Sequence, residues 1–557
     1  MGILEIVIVL AIFVLLCIPA GKYVYKVTEH KKTFLDPVFD RVDNFIYRIV
    51  GITKEEMSWK QYILALLMCN VVPAVIAYII LRLQFIHVLN PNHINGMEPG
   101  LTFNTVISFL TNTNLQDYSG ESGLSYFSQM VVITFFMFIS AATGFSAALA
   151  FVRGITGKKK TPGNFYVDFV RIITRILLPV CIVASIFYIQ QGVPQTFSPT
   201  KTVTTIEGKL QDISMGPVAS LESIKLFGTN GGGFFGANSA HPFENPTPLT
   251  NIVQMLSMLL FPGAIVVYFG YMVKKKKQAI SIFSAMGILL VAGIAVCYAC
   301  EKAGNPALSQ IGLNQLMGNM EGKEVRFGIP MSSLFTTITT AATTGAVNNM
   351  HDSLTPLGGL MPLLNMMLNV VFGGDGVGFM NMIMYAILAV FLCGLMVGRT
   401  PEYLSKKIEG REIKLVALAI IIHPFLILMF SALALVLPQG VAGISNPGFH
   451  GLTQIVYQFA SSAANNGSEF EGLADNTLFW NTTTGIVMLL GRYLSMIILL
   501  AVTGSLAAKK SVPVSEGTFR TDNAVFTFTL IFIVLIIGAL TFFPALSLGP
   551  IAEQLTL

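Results

Sequence analysis

Four short runs of threonine, asparagine and glycine recur along the sequence: Thr111-Asn112-Thr113-Asn114, Gly228-Thr229-Asn230-Gly231, Ala342-Thr343-Thr344-Gly345 and Ala464-Asn465-Asn466-Gly467. Their chemistry lies in the backbone. Glycine accepts positive φ without steric cost and asparagine tolerates the left-handed region, so such runs let successive carbonyls turn to one side. Rings of carbonyl oxygens can replace the hydration shell of a bare cation. No carboxylate occupies the three columns that end at Asn114, Gly231, Gly345 and Gly467. That argues against a calcium- or sodium-type acidic ring and for a large, weakly hydrated monovalent cation such as potassium. One such run alone reads as an ordinary turn, since these residues are common in turns; four in register do not.

The elements that would hold these runs are set by hydropathy. Of the 557 residues, 53% are hydrophobic and 11% charged, against roughly a quarter charged in a soluble domain, and mean hydropathy is +0.69. This excludes a multidomain soluble enzyme. Ten stretches approach the ~20 apolar residues that cross a bilayer: Ile3–Pro19, Ile63–Ile80, Met130–Val152, Ile172–Ile189, Ile252–Val273, Ile280–Ala299, Phe379–Val397, Leu415–Leu437, Ile486–Ala507 and Val525–Leu546. The first lacks the basic flank and small-residue cleavage site of a signal peptide and reads as a retained span. The apolar segment Leu357–Phe372 is shorter and reads as an outer or interrupted part of span seven. The expected fold is therefore all-α and polytopic, with ten transmembrane helices.

Charge orients them. The connections after spans one, three, five, seven and nine hold 26 of the 34 Lys and Arg residues, and cytoplasmic loops carry that excess. Both termini are expected outside. The net charge of +5 is thus spent on topology, and nucleic-acid binding is not expected. Each outer connection between spans two–three, four–five, six–seven and eight–nine holds an apolar stretch too short to cross: Phe103–Leu110, Pro217–Phe227, Met331–Ala341 and Thr453–Ala463. Each runs directly into one of the four motifs. The unit of span, short helix, polar loop and span is repeated four times: residues 62–153 (pore loop 103–116), 172–274 (217–234), 279–399 (331–348) and 415–508 (453–468), flanked by extra spans at 1–21 and 524–548. Non-helical backbone at membrane depth must be buried in protein or line water, so the loops are expected to converge on one axis. The short helices would turn their negative dipole ends toward it.

Several long motifs carry a family resemblance: Thr111-Asn-Thr-Asn-Leu-Gln116, Gly228-Thr-Asn-Gly-Gly-Gly-Phe234, His241-Pro-Phe-Glu-Asn-Pro246, Asn319-Met-Glu-Gly-Lys323 and Gly398-Arg-Thr-Pro-Glu-Tyr403. Together they resemble the potassium-binding A subunits (KdpA) of bacterial Kdp potassium-transporting ATPases, end to end. The resemblance implies the superfamily of potassium transporters that includes the Trk, Ktr and HKT proteins, a place in the bacterial cell membrane, and a potassium filter at Asn112, Thr113, Asn114, Thr229, Asn230, Gly231, Thr343, Thr344, Gly345, Asn465, Asn466 and Gly467. Gln116, Gly232, Gly373, Gly374 and Arg492 are expected beside the filter or at a gate. The implied partners are a P-type ATPase subunit (KdpB), KdpC, the small KdpF subunit and membrane lipid. Asn114 departs from the glycine of the other three runs, which puts exact four-fold coordination in doubt.

No energy-coupling site is legible. The phosphorylation motif Asp-Lys-Thr-Gly-Thr is absent, and Gly154-Ile-Thr-Gly-Lys158 has the wrong glycine spacing for a nucleotide loop. No nucleotide is expected on this chain, which leaves it non-catalytic alone. A self-sufficient Trk- or Ktr-type channel or ion-gradient-driven transporter is the alternative. Arg492 falls inside span nine, where a charge is costly and faces protein or water; it reads as a positive barrier beneath the filter. The Gly373–Gly378 cluster reads as a flexible break in span seven. Asp117, Glu121 and Glu244 are expected at the outer mouth, attracting cations or simply solvated. Lys225 is expected to complement the dipole of the second short helix. The six cysteines read as small buried hydrophobes, and the seven histidines lack metal-ligand spacing.

Overall fold

The computed structural model describes residues 2–86, 88–157, 161–396, 398, 400–513 and 519–557; His87, Lys158, Lys159, Lys160, Val397 and Arg399 from the readings above lie outside the described residues. Among these, ten helices are long and apolar enough to cross a membrane: Gly2–Thr28, Trp59–Arg82, Tyr126–Thr156, Phe165–Gln190, Pro248–Val273, Lys276–Gln310, Val377–Met396, Gly410–Val436, Leu478–Ala508 and Ala524–Thr556. They match the ten expected stretches one for one. Most run further into polar sequence, because backbone hydrogen bonding continues past the point where the side chains turn polar.

Four shorter helices stand between them: Pro99–Leu110, Val218–Phe227, Gly328–Ala341 and Phe449–Ala464. Their burial sorts the long helices into two classes. The apolar windows of the helices that follow each short helix are 89, 72, 67 and 50% buried, whereas those that precede it are 22, 44, 44 and 33% buried. The following helices therefore form an inner ring around the short helices, and the preceding ones keep a broad apolar face outward. The first long helix, 22% buried, packs along Pro248–Val273, where Gly21 and Gly263 let the two approach: a Cβ on Gly21 would overlap Val267 and Ala264, and one on Gly263 would overlap Cys17.

The seventh span is broken as expected. Helix Pro356–Leu368 stops at Asn369 in the left-handed conformation (φ 48°), and the chain resumes as Val377–Met396. Several elements escape the sequence reading, two of them sizeable. An antiparallel hairpin pairs Lys201–Thr204 with Leu210–Ile213 in the fourth-to-fifth connection. Helix Asp36–Val50 follows the first span. It is fastened by Arg175, which is buried and bonds Asp36 (3.3 Å), Asp40 (2.5 Å) and Asp43. Arg153 is likewise buried against Asp168 at 2.6 Å. Two of the arginines that mark the basic loops are thus internal clamps as well as topology signals.

The end of the chain is fixed by a charged contact. His450, at the start of the fourth short helix, bonds Asp352 through Nε2 (3.0 Å) and Glu553 through Nδ1 (2.9 Å), and its ring stacks on Phe470. Burial opposes the charged ring, but the two carboxylates win and raise His450 to about 9. A raised folded-state value means that the stabilisation is full below the ordinary value and disappears as pH rises through the folded one. His450→Gln should therefore lower the Tm of the purified protein at pH ~6.5 and make little difference above pH ~9.5, checked by thermal denaturation of both proteins across that range.

Candidate functional site

All four short helices stop the same way. The N–H of Thr113 bonds the carbonyl of Ser108 (2.9 Å), Asn230 that of Lys225 (2.9 Å), Thr344 that of Thr339 (2.8 Å) and Asn466 that of Ser461 (3.0 Å). Each is the six-to-one bond of a Schellman cap, which needs a left-handed residue just before it. Those residues are Asn112 (φ 64°), Thr229 (46°), Thr343 (45°) and Asn465 (55°). Two positions on, φ is positive again at Asn114 (58°), Gly231 (96°), Gly345 (87°) and Gly467 (94°), with Thr113, Asn230, Thr344 and Asn466 between them outside the positive region. Alternating backbone hand points successive carbonyls to one side of the chain, which an ordinary strand cannot do. Thr229 and Thr343 are β-branched residues in a region that such residues rarely enter, and backbone strain of this kind clusters at functional sites.

The runs abut one another in a closed circuit. A Cβ on Gly231 would strike the carbonyl of Thr344, one on Gly345 that of Asn466, and one on Gly467 that of Thr113. Between the first and second runs, the Asn112 side chain donates to the carbonyls of Gly228 (3.2 Å) and Thr229 (2.8 Å), and accepts from Asn230 (2.7 Å) and Ser140 (2.7 Å). At that step Asn114 replaces glycine, and Gly232 makes room for it: a Cβ on Gly232 would lie 2.9 Å from that of Asn114. Gln116 clasps the same two runs, its amide bonding both the N–H (2.8 Å) and the carbonyl (3.1 Å) of Gly233. Asn465 donates to Thr113 Oγ1 (2.9 Å) and Asn466 to the Thr339 carbonyl (3.0 Å). The structure thus brings all twelve expected filter residues together, with Gln116 and Gly232 beside them.

The break in span seven lies against this circuit. The Gly374 N–H bonds the Ala342 carbonyl at 2.7 Å, and Asn369 Nδ2 reaches the Ala464 carbonyl at 3.4 Å, so the segment supplies donors to the ends of the third and fourth short helices. A Cβ on Gly373 would sit 3.4 Å from the Ala341 carbonyl, and one on Gly374 3.2 Å from Thr343 Oγ1. Arg492 is buried and donates to the Ser140 carbonyl at 3.4 Å. Its Nη2 and the carbonyl of Asp375 both converge on Gly144, 2.5 Å and 3.6 Å from where a Cβ there would stand. Arg492 and the Gly373–Gly376 segment therefore occupy the same region of the inner ring.

Two of the carboxylates expected at the outer mouth are buried. Glu244 is not a solvated mouth residue: it is fully buried, ion-paired with Lys225 at 2.6 Å, and accepts from the Phe235 N–H at 2.7 Å. Lys225 does more than face a dipole, since it also bonds Glu222 (3.2 Å) and Ser239 (2.9 Å). Asp117 is buried too, and Glu121 accepts from the Gly236 N–H at 2.9 Å. Sequence reasoning missed Glu222, Ser140 and the carboxylates of Glu469 and Asp475 next to Asp117. Of these only Glu469 left a signal: it stands two residues past the fourth run, in register with Gln116.

A family model described as the potassium-transporting ATPase A subunit (KdpA) matches residues 7–555. The chain belongs to this family. It is 73% identical over 558 residues, covering all of both chains, to a protein of Clostridium acetobutylicum named potassium-transporting ATPase potassium-binding subunit. A protein of the same name from Geobacillus kaustophilus is 57% identical over 547 residues, 98% of each chain. Among solved structures, the potassium transporter TrkH from Vibrio parahaemolyticus superposes with a TM-score of 0.53 at 14% identity, covering 88% of this chain and 97% of that one. That likeness shows a shared fold.

Gly345→Ser tests the circuit. A side chain there must displace the Asn466 carbonyl, and the expected result is a fall in apparent potassium affinity of at least about tenfold, or ~1.4 kcal/mol, with weaker rejection of sodium. The potassium dependence of ATP hydrolysis in the reconstituted complex measures both.

Proposed function

We propose that the chain is the potassium-selecting subunit of an ATP-driven uptake complex in a bacterial cell membrane. It takes potassium from the outside, where both termini lie, through one pore lined by four repeats, and delivers it to a separate P-type ATPase subunit (KdpB), with KdpC and the small KdpF completing the assembly. Potassium is the cargo, and no nucleotide binds this chain. The observation that carries the reading is the fourfold recurrence of one cap and one alternating backbone hand in runs that touch in a circuit.

In this reading the carbonyls of residues 112–114, 229–231, 343–345 and 465–467 stand in for the water around potassium, and the selection comes from a ring of dipoles. The four short helices present their negative ends toward the ion. Left-handed positions and interlocked side chains hold the ring at rest, so little reorganisation is needed when an ion arrives. Membership in this family, with relatives named as subunits of an ATPase, supports an energy source outside this chain. The purified chain alone should accordingly hydrolyse no ATP, while the assembled complex should do so with potassium stimulation; a coupled phosphate-release assay on both decides the matter.

Arg492 and the Gly373–Gly376 segment form the barrier below the ring in this reading. A fixed positive charge repels a cation leaving the ring, and burial screens that repulsion less than water does. An ion denied the straight path is available for transfer to a partner. Arg492→Gln should raise ATP-independent potassium leak or uncouple hydrolysis from transport, and leave the preference for potassium over sodium intact. Flux and hydrolysis measured together in proteoliposomes check this; unchanged leak and coupling would make Arg492 a packing residue.

A further inference from the structure

Just outside the circuit of runs, one carboxylate oxygen from each of Asp117, Glu469 and Asp475 lies within 4.8 Å of the others. Asp117 comes three residues after the first run and Glu469 two after the fourth, so the cluster sits over the junction where those runs meet. We propose that Asp117, Glu469 and Asp475 form a binding site for a calcium-class divalent cation, separate from the potassium ring and placed at its outer mouth.

Clustered acids alone would not carry this. Asp117 is 7% exposed, yet neither of its carboxylate oxygens has a hydrogen-bond partner. An ionised carboxylate left buried and unpaired is very costly, and among the described residues none of the three forms an ion pair with Lys, Arg or His. Elsewhere in the protein the buried carboxylates of Glu222, Glu244 and Glu301 each meet a lysine, while Asp375, also unpartnered, lies in the region of Arg492. A second group points the same way. Gln458 is fully buried and donates through Nε2 to Asp475 at 2.8 Å, while the Oε1 of that same amide has no partner. The cluster therefore offers carboxylate oxygens that no cationic side chain meets, its donors being the neutral Gln458 amide and the Gln116 N–H.

The geometry and charge select the ligand. Calcium takes six to eight oxygens at ~2.3–2.6 Å, so oxygens bound to one ion lie no more than about 5.2 Å apart, and the three here, all within 4.8 Å of one another, meet that bound. Three carboxylates leave a potassium ion over-neutralised, whereas a divalent ion meets most of their charge. Partly exposed Glu469 gives access from outside, and its Oε1 is held by the Gln116 N–H at 3.3 Å. Because the Gln116 backbone links the cluster to the clasp between the first two runs, an ion here would place positive charge at the potassium entrance and oppose loading of the ring.

This goes beyond the transport reading, and its primary test does not depend on it. Binding of radioactive calcium to the purified complex is measured by equilibrium dialysis in choline buffer. One saturable site per chain is expected, with Kd in the ~0.1–1 mM range of extracellular calcium modules. Asp117→Asn and Glu469→Gln should each weaken it at least about tenfold, as loss of ligand charge does, and Glu121→Gln should not. Glu469→Gln serves if Asp117→Asn fails to fold, since Glu469 is partly exposed. No saturable calcium site below ~10 mM, binding unchanged in both variants, or displacement of calcium by equimolar potassium would each overturn the proposal. Calcium binding by a complex that shows no potassium-stimulated ATP hydrolysis would leave the site standing and overturn the transport reading.

Discussion

A helix that stops in the middle of a protein leaves its last carbonyls without partners, and at membrane depth there is no bulk water to take them. The architecture turns on that constraint being met four times. Each short helix closes with a six-to-one bond, which forces Asn112, Thr229, Thr343 and Asn465 into the left-handed region. Once that turn is made, the following residues run back outward with alternating hand. The cap that solves the helix's own bonding problem is therefore also the device that turns successive carbonyls to one side of each run. The inner ring of long helices is needed to bury this irregular backbone, and the outer helices to cover the inner ring.

Much of this is legible in sequence, for a physical reason. Span length is set by bilayer thickness, so composition alone finds ten helices. The short helices declare themselves because apolar stretches of about ten residues end in residues suited to a left-handed cap. Thr229 and Thr343 are the exceptions: a β-branched residue gives no hint of positive φ, and only its register with Asn112 and Asn465 marks the position. Helix Asp36–Val50 carried a pattern that charge counting hid. Asp36, Asp40 and Asp43 recur at helical spacing on one face, which is the face Arg175 grips.

What could not be read was the fate of loop carboxylates. Glu244 meets Lys225 from 19 residues away, Glu301 meets Lys323, and Glu469 meets the backbone of Gln116 across 353 residues. Whether such a group is solvated, paired or left bare depends on neighbours that only the folded chain supplies. Around the circuit, lysine–glutamate pairs brace the connections, carboxylates beside the first and fourth runs have no cation among the described side chains, and buried Asp375 lies in the region of Arg492.

Three steps of the circuit are made by a glycine pressed against a neighbouring carbonyl, and the remaining one by Asn114 against Gly232. The side chain missing from one partner is present on the other, so the two positions share a single fixed volume. Neither can enlarge unless the other shrinks, and an inherited change at residue 114 alters which changes are tolerated at residue 232. Mutational histories of this junction should thus be epistatic, with the order of substitutions constrained, whereas the glycines of the other three runs face backbone that no substitution can trim and have no such compensating route.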